Sequence, residues 1–251
     1  MGKDRDWLEK PSWEGFSSAA ERQPVPAEAF NPPSAARASA CALSALVRAL
    51  TEGAAASGVL PEELVVLTSL RRSPDPFDAL RCYRVRGLGG RALPFAEGVA
   101  AARRSTRIVC VLSAARGATL GWIREAARSG LDACLLVVNG GGCSGGASTE
   151  PDAGLAQETL RAGAGFVARL SPFDENSSAL LGRALRHRGL SVVDAISICP
   201  AHDDAASFEP VDAPPGGVFS DAPQTKVMRR SDPAEDRMRQ FEHERLWSAL
   251  R

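Results

Sequence analysis

The fold is decided by residues 108–139, IVCVLSAARGATLGWIREAARSGLDACLLVVN. IVCVLS (108–113) is an unbroken apolar run bounded by small residues, too short for a buried helix and right for a buried strand. LGWIREAAR (120–128) then spaces its apolar residues at helical intervals. ACLLVVN (133–139) is a second unbroken run. A strand that is apolar at every position must be covered on both faces, which is the signature of a parallel sheet wrapped by crossover helices.

The same alternation extends outward. Residues 36–57 read as a helix, 63–70 as a strand, and 91–102 as a helix. Downstream, 153–163 read as a helix, 165–169 as a short strand, 178–188 as a helix and 190–198 as the last strand. These define one α/β domain over 35–203, a mostly parallel sheet with helices on both faces. Residues 1–34 carry Pro24, Pro26, Pro32 and Pro33 and no periodicity, so they form an extended arm. Its Trp7, Leu8, Trp13, Phe16 and Phe30 suit an arm pinned to a surface, its own or a partner's. Residues 204–232 are rich in Pro, Asp, Gly and Ser and read as a linker. Residues 233–251 read as an amphipathic helix, with Asp232 as N-cap, Pro233 in the first turn and Met238, Phe241, Leu246 and Leu250 along one stripe.

Lys plus Arg and Asp plus Glu are both 30, so the chain is neutral and offers no field for bulk nucleic-acid or anionic-membrane binding. No stretch approaches the ~20 apolar residues of a membrane span, and MGKDRDWLEK lacks the apolar core of a secretory leader. A cytoplasmic protein is the expectation. Of six cysteines, none forms a C-x-x-C pair, and Cys110 and Cys134 fall inside apolar runs as small buried hydrophobes.

In sheets of this kind ligands bind outside the carboxyl ends of the strands. The loop after 108–112 reads Ser113-Ala114-Ala115-Arg116-Gly117-Ala118. The loop after 134–138 reads Asn139-Gly140-Gly141-Gly142-Cys143-Ser144-Gly145-Gly146, with five glycines in eight residues. Such a loop is either flexible or a nest of backbone N–H groups for an anion. The candidate binding residues are Ser113, Arg116, Asn139, Gly140, Gly145 and Gly146.

Three further segments carry a resemblance. They are GLGGRALPFAEGVAAAR (87–103), AGAGFVARLSPF (162–173) and RALRHRGLSVVDAISICPAH (183–202). Together with VCVLSAARGATLGW (109–122) and VVNGGGCSGGAS (137–148), the sequence resembles the thiamine-diphosphate-binding β subunit of 2-oxoacid:ferredoxin oxidoreductases over residues 36–203. The resemblance implies a thiamine-diphosphate-binding fold. In that family an acidic GDGD-type loop and an Asn pair hold the Mg²⁺ that bridges the cofactor diphosphate. Here Ser113-Ala114-Ala115-Arg116 lies over the acidic loop, Asn139 over the first Asn and Gly140 over the second. No Asp or Glu occurs between Leu112 and Trp122. A hard Mg²⁺ needs at least one carboxylate besides phosphate. The family's two histidines before its GRALPFA run are Arg86 and Gly89.

The family's four-cysteine [4Fe–4S] cluster has the same fate. Cys41 and Cys199 match two ligand positions, and Ala38 and Arg72 stand at the other two. Two thiolates do not hold a cubane. The sequence therefore implies no catalytic residue, no resident metal and no cofactor, with Cys41 and Cys199 as vestiges. His187, His202 and His243 have no partner at zinc spacing, and no G-x-S-x-G or P-loop is present.

Three functions fit. The first is a catalytically degenerate β-subunit homologue that is structural or regulatory in an oligomer, such as a hetero-oligomer with an oxidoreductase α-type subunit. The second is a metal-independent phosphate- or nucleotide-binding protein using loops 113–118 and 139–146, with Arg116 as counter-charge. The third is an active oxidoreductase subunit with an altered site.

Overall fold

The computed structural model describes residues 23–30, 41–70, 75–86, 91–102, 106–113, 118–140, 154–197 and 217–222. Seven strands form one sheet: β1 (Leu64–Thr68), β2 (Tyr83–Arg86), β3 (Arg107–Ser113), β4 (Cys134–Asn139), β5 (Phe166–Leu170), β6 (Ser191–Ile196) and β7 (Gly217–Asp221). Their order is β2-β1-β3-β4-β6-β5-β7. The first six are parallel, and β7 runs antiparallel on β5 with an irregularity at Val167/Ala168.

The continuous apolar runs now have their reason. Val109 and Val111 of β3 join a core beneath α1 (Ala42–Ala56) and α5 (Ser177–Arg186). Ile108, Cys110 and Leu112 of the same strand join a second core with α2 (Ala92–Ala102), α3 (Ala118–Ser129) and α4 (Leu155–Arg161). Successive side chains point to opposite faces, so a strand roofed by helices on both sides has no polar face to show.

Helices α1 and α5 touch through glycine. A Cβ built on Gly53 would stand 2.6 Å from Ser178 O and 2.9 Å from Gly182 N. The Ser57 hydroxyl donates to Gly53 O at 2.6 Å and reaches Gly182 O at 3.1 Å. The two backbones are held closer than any side chain would allow.

The five helices and five strands predicted within 35–203 are present where the chain is described, with bounds that differ by a few residues. Two strands were not anticipated. β2 (YRVR) is short and polar. β7 lies inside the stretch read as linker, 204–232. Its five residues have little propensity of their own and are held by tertiary bonds. Asp221 accepts from Arg183 at 2.8 Å and pairs with His187 Nδ1 at 3.3 Å, while the Ser220 hydroxyl and the Ala222 N–H both donate to Gly165 O at 3.0 Å.

The end of the N-terminal arm docks on its own domain. Phe30 is fully buried in the α1/α5 core, Val25 N–H donates to Ala55 O and Arg81 N–H donates to Phe30 O. The aromatics at positions 7, 13 and 16 and the C-terminal helix predicted over 233–251 lie outside the described residues. Among the described residues no helix is long and apolar enough to cross a membrane.

Candidate functional site

Strands β3 and β4 are neighbours, with Ser113 in register with Val138. The carboxyl ends of the two strands therefore lie side by side. Ser113, Asn139 and Gly140 are described; Arg116, Gly145 and Gly146 lie outside the described residues, as does Cys199. Gly140 has φ 84°, a left-handed conformation that turns the chain off the end of β4.

The sheet separates the two side chains that the sequence grouped. Leu112 belongs to the α2–α4 core, so Ser113 faces α1 and α5. Val138 belongs to the α1/α5 core, so Asn139 faces the opposite layer. There Asn139 is 1% exposed and its Nδ2 donates to Asp194 Oδ1 at 2.8 Å. Asp194, on β6, is wholly buried. Its Oδ2 accepts from Arg169 Nε at 2.7 Å and lies 2.7 Å from Arg169 Nη2, and Arg169 is 2% exposed. Arg169 on β5 is in direct register with Asp194. The Phe219 ring of β7 lies 5.9 Å from the guanidinium carbon.

This network ties β4, β5, β6 and β7 together at one level of the sheet. A buried ion pair is tolerated when its geometry is good and further hydrogen bonds complete it; the two-point Arg–carboxylate contact and the Asn139 amide do that. Sequence reading singled out Asn139 and missed Arg169 and Asp194. A signal was present: each is the one charged residue in an otherwise apolar or small strand, FVARL and SVVDAI.

The residues present do not fit a Mg²⁺-diphosphate unit. No carboxylate stands between Leu112 and Trp122, Ser113 and Asn139 project to opposite faces, and the Asn139 amide is turned to Asp194. Cys41 is the N-cap residue of α1, half-buried against the α1/α5 core. Among the described residues no group of three His, Cys, Asp or Glu side chains could hold a metal. Cys110 and Cys134 are buried as the sequence predicted. Burial pushes the Cys134 thiol up to about 12 and Cys110 higher, so neither presents a thiolate. His187 follows the last turn of α5 and pairs with Asp221, and His202 and His243 lie outside the described residues.

No protein-family model matches the chain. The 2-oxoglutarate synthase subunit KorB of Archaeoglobus fulgidus is 27% identical over 135 residues, covering 45% of this chain. The match spans 51% of KorB, about half of that relative's length. A solved 2-oxoglutarate:ferredoxin oxidoreductase from Magnetococcus marinus superposes with a TM-score of 0.60 at 16% identity, covering 90% of this chain and 92% of that one. This is a 2-oxoacid:ferredoxin oxidoreductase β-type fold. A putative thiamin diphosphate-dependent enzyme from Mycobacterium smegmatis is also similar, with a TM-score of 0.42 and 19% identity over 56% of this chain and 29% of that one. Ser113 ends β3, beside the end of β4.

Proposed function

We propose that this chain is a catalytically silent homologue of the 2-oxoacid:ferredoxin oxidoreductase β subunit, acting as a structural or regulatory member of a hetero-oligomer with an α-type subunit. One observation carries the reading. The scaffold is kept across a whole seven-stranded sheet, while the carboxylate that Mg²⁺ requires is missing and Asn139 is engaged with Asp194 inside the core. A protein under selection only for its surfaces and its stability would look like this. Cys41 and Cys199 are vestiges of a cluster that Ala38 and Arg72 no longer complete.

Two measurements on the intact chain test it. Calorimetry with thiamine diphosphate and Mg²⁺ should give no binding at micromolar ligand, and anaerobically purified protein should carry no stoichiometric iron. Affinity purification from the native host should recover an oxidoreductase α-type subunit. Tight Mg²⁺-dependent cofactor binding, or a broad absorption band from an iron–sulfur cluster, overturns the reading. Diphosphate binding without metal, abolished by Arg116→Ala, would instead support a metal-independent phosphate site.

A further inference from the structure

We draw no further inference here: the strongest candidate, the face of α2 whose exposed residues Pro94, Phe95, Gly98, Ala101 and Ala102 carry no charge, is an apolar surface, and nothing in the structure shows what covers it.

Discussion

Two buried carboxylates face opposite fates. Asp194 is committed to Arg169 and Asn139. Removing it as Asp194→Ala leaves a guanidinium with 2% exposure beside an empty space, which should destabilise the chain by ~3–5 kcal/mol. Asn139→Ala removes only the amide and should cost about 1–3 kcal/mol. Urea denaturation midpoints check both, and a loss of similar size in the two variants would mean that the ion pair is not the dominant partner. Asp132 is different. It sits before β4, accepts from Gly189 N–H at 3.1 Å, and is 4% exposed. Burial raises its carboxyl to about 6 despite the Gly189 bond and the charges of Arg107 and Arg188. A raised folded value favours the protonated form. Folding therefore suffers no penalty from Asp132 below 3.8, loses stability as pH climbs from there to about 6, and levels off above. The drop is on the order of 3 kcal/mol. Asp132→Asn keeps an acceptor for Gly189 and removes the ionisation, so it should be more stable than the parent at neutral pH and lose that advantage near pH ~4. Stability curves at the two pH values decide it.

At the scale of elements, the sequence told most where an element meets the core on both sides. IVCVLS and CLLVVN could be read as central strands because no residue in them needs water. It told least where an element is held by a few specific bonds. YRVR alternates over only four residues and GVFSD carries neither run nor alternation, and they are the two outermost strands of the described sheet. The candidate site was legible as a place, the carboxyl ends of β3 and β4, but not as an arrangement. A strand's last residue faces one layer or the other according to register, which put Ser113 and Asn139 on opposite sides. The β7 strap depends on Asp221, whose carboxyl is held below the usual range, first by the Arg183 hydrogen bond. That contribution is present above the ordinary value of 3.8 and is lost as pH falls through the depressed one. Asp221→Asn should speed hydrogen exchange at Ala222 and along β7 without changing exchange in β3 or β4. Equal change in the central strands would mean that the strap is part of the global cooperative unit. Gly53→Ala tests the α1–α5 contact. Its Cβ would meet backbone atoms at 2.6 and 2.9 Å, so a loss of ~1–3 kcal/mol is expected from forced separation, checked by thermal melting against Gly98→Ala, where nothing lies within 4 Å.

The described residues form one closed core, and the N- and C-terminal segments that the sequence sets outside it need not share a role. Phe30 has its place inside the α1/α5 core, so the end of the N-terminal arm is part of the domain's own fold. Arg81 N–H donates to Phe30 O at 2.6 Å, which links that arm to the segment leading into β2. The C-terminal segment is argued from sequence. Met238, Phe241, Leu246 and Leu250 would form a stripe on the predicted helix, which is highly charged and of modest length, so propensity alone would not keep it folded. Burying side chains of that size contributes roughly 1.5–3 kcal/mol each, enough together to offset the ordering of the chain that precedes them. If the covering surface belongs to a partner, a chain ending at Ala222 keeps β7 and its Gly165 bonds. It should then melt at the parent's temperature as a folded core, while its recovery of partners in affinity purification falls. Should the shortened chain instead lose its cooperative transition, the stripe packs on this domain, and the sheet described here needs the C-terminal helix as a further layer of its own core.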